Sequence, residues 1–169
     1  MEPLRWHALL VRPRFEVSVA SRLNGLGLES YVPMLQLSRE RLGNIRCIEL
    51  PLFPGYVMCK HAVPDSMWSI PGVVSMIRGI RARQVVSDRN MDDLRQIVDC
   101  GVRVRRWPFR AQGERVIIDE GPLSGISGIL ERDGNEQLFI FSIHLIREAV
   151  ALNARSLRLI SFRAKTTFR

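Results

Sequence analysis

The chain has 169 residues, 46% hydrophobic and 25% charged, and a formal net charge of +8. That is ordinary globular composition for one domain or two small ones, and it excludes a disordered tail. No apolar run reaches the roughly 18 residues of a membrane-spanning helix, and the N-terminus lacks the apolar stretch and cleavage site of a secretory signal, so a cytoplasmic protein is expected.

Arg5 to Val11 is rich in β-formers and predicts a strand that Pro13 ends. Phe15, Val19, Leu23 and Leu26 recur at helical spacing, and Gly25 and Gly27 supply the stop. Glu29 to Leu37 resumes an extended pattern. Ser38 to Arg46 is polar, carries Leu-Gly-Asn at its centre and reads as a hairpin tip or loop. Cys47 to Leu50 and Phe53 to Lys60 read as the return strand, broken by Pro51 and Pro54. Asp65 is placed to cap a short helix to Ile70, and Val73 to Arg78 is a further strand. Ser87 or Asp88 caps a helix with Met91, Leu94, Ile97 and Val98 on one face, closed by Gly101. The order β-α-β-β-α-β, with one extra helix, predicts an α+β ferredoxin-like antiparallel sheet covered by helices.

Gly101 to Gln112 has four arginines, one proline and no helical period, and reads as a linker. Beyond it, RVIID, GISGIL, QLFIFSI, AVALN and LRLIS are short extended runs separated by turn signals, which predicts a small five-stranded barrel. Residues 143–160 also fit a helical face through Ile143, Ile146, Val150 and Leu157, but Gly121-Pro122 and Asp133-Gly134 would break long helices. The expected boundaries are 1–106, a linker at 107–112, 113–161, and a basic tail at 162–169.

Charge separates these parts. Residues 1–106 carry 16 basic and 10 acidic side chains, whereas residues 113–161 carry 5 and 7. The first part can therefore approach phosphates or an acidic surface, and the second is a poor match to phosphate as a whole. Three scattered cysteines form no CxxC pair and fit a reducing compartment. Cys59 and His61 form the only close metal-ligand pair, which strand alternation accounts for. No acid-base, nucleophile or phosphate-loop constellation is present. Neither enzyme chemistry nor a cofactor or metal is expected.

Leu52-Phe53-Pro54-Gly55-Tyr56-Val57 resembles the LFPGYV signature of the NusG transcription factor N-terminal (NGN) domain. Trp6, Phe15-Glu16, Tyr31-Val32-Pro33 and Pro71-Gly72-Val73-Val74 fall in that family's order, and Gly113-Glu114-Arg115-Val116 through Gly121-Pro122, Gly125 and Gly128 resembles its KOW motif. The resemblance spans about residues 5–161 and implies an NGN domain followed by an SH3-like KOW barrel. It implies an elongation and antitermination factor, a monomer, that binds the clamp helices of the RNA polymerase β′ subunit, closes the clamp and suppresses pausing. The groove expected for those helices is Leu10, Phe53, Tyr56, Met58, Met76 and Ile77. Ser66, Trp68 and Ser69 would meet the gate loop of the β subunit. Arg12, Arg14 and Arg22 would share a rim facing non-template DNA. Ile143, His144, Leu145 and Ile146 would dock a KOW partner such as NusE or Rho.

Two departures from the general factor stand out: a short segment between Asp65 and Pro71, and His144 where an aromatic is usual. Both favour a specialised paralogue of the RfaH type. Such members can fold the second domain as a helical hairpin over the polymerase site, but the strand signals favour the barrel. A KOW module also occurs in ribosomal RNA-binding proteins, and the acidic balance of residues 113–161 argues against that alternative.

Overall fold

The computed structural model describes residues 4–41, 44–60, 65–77 and 85–161. The chain forms two compact units, Met1–Val98 and Asp99–Arg169. The expected basic tail, His61, Arg78 and the Leu42-Gly43 tip lie outside the described residues.

In the first unit, β1 (Trp6–Val11) leads into α1 (Glu16–Gly25), followed by β2 (Glu29–Tyr31), the hairpin β3 (Met34–Arg41) and β4 (Asn44–Pro51), then β5 (Tyr56–Lys60). A 3₁₀ turn, Asp65–Ser69, precedes β6 (Val73–Met76), and α2 (Asp88–Asp99) completes the unit. The main sheet runs β2-β5-β1-β6, each neighbouring pair antiparallel. This is the ferredoxin-like order read from the sequence, with the 3₁₀ turn standing where a second crossover helix would be.

The polar stretch read as a hairpin tip or loop belongs to a hairpin, and most of it lies in the strands of the β3–β4 ribbon, paired from Met34↔Pro51 to Arg41↔Asn44. Ladder bonds satisfy its backbone, so a strand needs no apolar face there. Helix α1 also differs from its predicted face. Val19, Ala20 and Leu23 are buried, whereas Phe15 is 38% and Leu26 56% exposed. The helix begins one residue after Phe15, its N-cap, and ends before Leu26, its C-cap. Gly27 then donates to the Asn24 carbonyl and Leu28 to that of Leu23, which closes the last turn. Ser87 caps α2, its Oγ accepting the Asn90 N–H at 3.1 Å.

The Phe53–Gly55 turn is fixed by Glu16. Its carboxylate is 3% exposed and accepts the Gly55 N–H at 2.7 Å. Gly55 in turn accepts from the Val11 N–H at 2.8 Å and has φ +85°, a conformation that a Cβ would strain. Glu16 sits in the first turn of α1, where the helix dipole favours negative charge. Arg12 N–H donates to the Gly72 carbonyl at 2.8 Å, and the Phe15 ring lies against Gly72. The β1–α1 connection thus holds two other turns in place.

The second unit is a six-stranded antiparallel sheet, not five-stranded. Its strands are β7 (Arg105–Trp107), β8 (Glu114–Ile118), β9 (Ser127–Asp133), β10 (Glu136–Ile143), β11 (Glu148–Asn153) and β12 (Leu159–Ser161), in the order β12-β8-β9-β10-β11-β7. The additional strand comes from the stretch read as linker. Arg105–Trp107 pair with Ala149–Ala151, and residues 99–112 fall within this unit. Arginines and tryptophan on an edge strand can satisfy a ladder while their heads reach solvent, so composition alone hides the strand. Of residues 143–160, ambiguous in period, 148–153 form β11 and 159–160 open β12, with a 3₁₀ turn, Ala154–Ser156, between them. Gly128 is enforced by close approach, because a Cβ there would lie 2.6 Å from both the Ile140 carbonyl oxygen and the Phe139 ring.

Replacing Glu16 by alanine should leave a buried Gly55 N–H without its acceptor and destabilise the first unit by about 2 kcal/mol. Glu16→Gln, which keeps an acceptor oxygen, should lose less. Urea unfolding followed through the amide resonances of β1 and β5 measures both; equal midpoints for Glu16→Ala and wild type would refute the anchoring role.

Candidate RNA polymerase and nucleic-acid interface

Cross-strand partners share a sheet face, so the register sorts the first unit's residues. One face carries Leu9, Val11, Val57 and Cys59, packed on Val19, Ala20 and Leu23 of α1 and on Met67 and Ile70. The opposite face carries Trp6 beside Lys60, Ala8 beside Met58, and Leu10 between Tyr56 and Ser75. Ile77 lies against Ala8, its N–H donating to the Ala8 carbonyl at 2.8 Å.

Helix α2 occupies one end of that second face. Met91, Leu94 and Ile97 are buried. The Arg95 guanidinium lies 4.9 Å from the Trp6 ring centre and 5.1 Å from that of Tyr31, and pairs with Glu29 at 2.9 Å. Lys60 Nζ meets Asp88 at 2.8 Å. That hydrogen bond raises the lysine pKa and lowers the aspartate's, to which the Trp6 indole also donates. The other end of the face is not fully covered: Leu10, Tyr56, Ser75 and Ile77 are all half-buried.

The six residues expected to form one groove therefore separate. Leu10, Tyr56 and Ile77 line the incompletely covered end. Met58, 1% exposed, lies beneath on the same face, and Phe53, also 1% exposed, is buried as the anchor of the turn. Met76 points the other way, against the α1-side core, because it pairs with Leu9. Ser75 is the side chain that pattern reading passed over. A register shift between Leu10 and Val11 changes which β6 residues face outward, and no sequence signal marks it.

Arg12 and Arg14 are exposed in the β1–α1 connection, Arg14 with φ 71°. Arg22 is exposed in the last turn of α1, about 9 Å further along the helix axis than Glu16. The structure thus groups two of the three arginines and sets the third at the far end of the helix. Trp68 is 42% exposed and Ser69 exposed, while Met67 between the 3₁₀ residues faces the core. Ser66 belongs to the same turn, and its side chain lies outside the described residues.

In the second unit, the β10–β11 turn holds Ile143 and Ile146 buried, Leu145 half-buried and His144 exposed. The stretch expected as linker reaches this turn. Phe109 packs edge-on to the His144 ring at 5.2 Å, and the Arg147 guanidinium lies 5.4 Å from the Phe109 ring centre. The Trp107 indole donates to Glu131, and the Arg110 carbonyl accepts from Ser142 Oγ at 3.4 Å. Residues 107–110 are therefore strapped to the sheet, and Phe109 is a neighbour of the expected partner-docking residues that composition did not reveal.

Among the described residues no cluster of His, Cys, Asp and Glu could hold a metal ion, and no helix is long and apolar enough to cross a membrane. Burial pushes the Cys59 thiol up to about 11, Glu29 adding to the effect. A thiol with a raised pKa stays protonated at pH 8 and reacts slowly. A thiol-specific disulfide reagent at pH 8 should accordingly modify the exposed Cys47 first and reach Cys59 only after unfolding, as mass spectrometry of the labelled peptides would show. Equal labelling of Cys59 in the folded chain would contradict its burial.

The chain matches the family described as "Transcription termination factor nusG" over residues 4–95. It is 28% identical over 142 residues to the transcription termination/antitermination protein NusG of Escherichia coli strain K12, covering 75% of this chain and 78% of that protein. Identity to the NusG protein of Vibrio vulnificus strain CMCP6 is 30% over the same length, with the same coverage. The structure reported as "Domain interaction in Thermotoga maritima NusG" is similar at a TM-score of 0.53 and 20% identity, covering 92% of this chain and 96% of that one.

Proposed function

The chain belongs to the NusG family of transcription termination factors, and from that premise we propose that it acts in the cytoplasm as an elongation and antitermination factor that docks its first unit on RNA polymerase. The observation that carries this reading is the divided sheet face. α2 covers the Trp6–Lys60 end, while Leu10, Tyr56, Ser75 and Ile77 stay half-buried over a rigid floor of Met58 and Ala8. A floor locked by packing, with one aromatic and two aliphatic side chains above it, suits an apolar helical partner. In the family this partner is the clamp-helix pair of the β′ subunit. A factor that prefers the closed clamp shifts that equilibrium by its differential affinity and so suppresses pausing.

Arg12 and Arg14 are the basic groups proposed to face non-template DNA, with Arg22 placed apart from them. Ser66, Trp68 and Ser69 are the proposed gate-loop contact. The β10–β11 turn, Ile143 to Ile146, is the proposed docking point for a further protein such as NusE or Rho, with His144 and Leu145 its accessible members. The short 3₁₀ turn and His144 support a specialised member of the family over the general factor.

Tyr56→Ala should weaken polymerase binding at least tenfold, since truncating a central aromatic costs about 2 kcal/mol or more. Tyr56 is only half-buried, so loss of folding should be a minor effect, which amide spectra would verify. Affinity equal to wild type in the folded variant would remove the groove from consideration. Arg12→Ala combined with Arg14→Ala should reduce crosslinking to the non-template strand in a paused complex while leaving polymerase affinity within a few-fold; undiminished crosslinking would rule out the DNA contact.

A further inference from the structure

The negative balance of residues 113–161 is an average over two faces that the register separates. At the tip of the β9–β10 hairpin, Asp133 pairs with Glu136, and Glu131 with Leu138, so all three carboxylates point to one face. There they are held by cations and an indole. Arg105 Nη2 reaches Asp133 at 3.4 Å and Glu136 at 3.2 Å, and Glu131 accepts from Trp107 and Arg110. Arg132 pairs with Gln137 and both point to the opposite face.

On that opposite face Arg132, Gly134, Asn135, Gln137 and Arg155 line a cavity of about 280 Å³, open to solvent. It contains two guanidinium groups and two side-chain amides, and no carboxylate among its lining residues. Arg155 is held at both ends. Its backbone N–H donates to Asn153 Oδ1 at 2.9 Å, and its guanidinium donates to the Asn135 carbonyl at 3.0 Å. One of five guanidinium N–H donors is thus used and the rest remain. Among the described residues the Arg132 side chain has no ion-pair or hydrogen-bond partner, while its backbone lies in the β9–β10 ladder.

We infer that this cavity is a binding site for the phosphodiester backbone of a nucleic acid. Forked guanidinium groups match the paired oxygens of a phosphate, and the amides of Asn135 and Gln137 add neutral donors beside them. The cavity is larger than a single carboxylate fills. Every lining residue is exposed, which suits a chain crossing the hairpin tip better than an enclosed small molecule. No aromatic side chain lines it, so bases do not stack there. The contact therefore positions a strand and does not read its sequence. The carboxylates that would repel phosphate are turned away by strand alternation and neutralised by Arg105 and Arg110, the arginines of the strapped segment.

The test is fluorescence anisotropy of the full chain with a twelve-nucleotide oligouridylate and, separately, a twelve-base-pair DNA duplex, each over a range of salt concentrations. Arg132→Gln, which breaks no bond in the fold, should weaken binding about threefold. Together with Arg155→Gln the loss should reach about tenfold, and the slope of log affinity against log salt should fall by about 1 per lost phosphate contact. Arg132→Lys should keep most of the slope. Binding of the RNA arm or of both arms supports the site and identifies the strand it accepts. In amide spectra, the Gly134 and Asn135 signals should move on adding nucleic acid. Unchanged affinity and slope in the double variant would overturn the proposal, as would movement of those signals with a polyglutamate peptide and with neither nucleic acid. The polymerase reading is tested apart from this one, because Tyr56→Ala should retain the Arg132-dependent part of nucleic-acid binding.

Discussion

The buried hydrogen bond from Gly55 N–H to the Glu16 carboxylate is the constraint on which the first unit's working face depends. Burying a carboxylate is costly unless it is engaged, and here the turn amide donates to Glu16, which is 3% exposed and sits in the first turn of α1, where the helix dipole favours negative charge. Because Gly55 also accepts from Val11, the turn, the end of β1 and the start of α1 are one unit. β5 leaves that turn directly. The register Leu10↔Tyr56 is therefore set where the chain enters the strand, and a slip by one residue would turn Tyr56 into the α1-side core.

The second determinant is how far α2 extends over the sheet. Arg95 stacks on Trp6 and Tyr31 and pairs with Glu29, while Lys60 pairs with Asp88, and together these fix the helix over one end. The Lys60–Asp88 pair has a definite pH window. The depressed aspartate pKa contributes stability above its unfolded value near 3.8, lost as pH falls through the folded one. The raised lysine pKa contributes below 10.5 and is lost as pH rises through its folded value. The attachment of α2 is thus insensitive to pH across the neutral range, and the uncovered strip keeps its boundary there.

The second unit uses strand alternation in the same way, for charge instead of apolar surface. Its central strand β10 buries Leu138, Phe139, Ile140 and Phe141 in succession, so both of its faces are covered. Leu138 and Ile140 pack with Ala149, Ala151, Ile129 and Trp107. Trp107 belongs to the arginine-rich stretch, whose arginines meet the hairpin carboxylates on that side. Covering one face thus also neutralises it, and leaves Arg132 and Arg155 as the charged groups lining the cavity on the other.

Much of this was legible in the sequence. The periods of Trp6–Val11 and Met91–Ile97, the caps at Ser87 and Gly27, and the turn signals between the later strands depend on local sterics and local hydrogen bonds, which a linear pattern records. The LFPGYV stretch located the turn and made Tyr56 a candidate. Tertiary structure alone decided the rest. Met76 went to the core face because of its pairing with Leu9, and Ser75 took the outward place after a register shift. Phe15 left the buried face of α1 because its ring lies against Gly72, just before β6. The linker became a strand because an edge of β11 was open to it, and a net charge of −2 concealed a cavity lined by two arginines. Each of these depends on which backbone lies beside which across a sheet, and no local period in the chain encodes that.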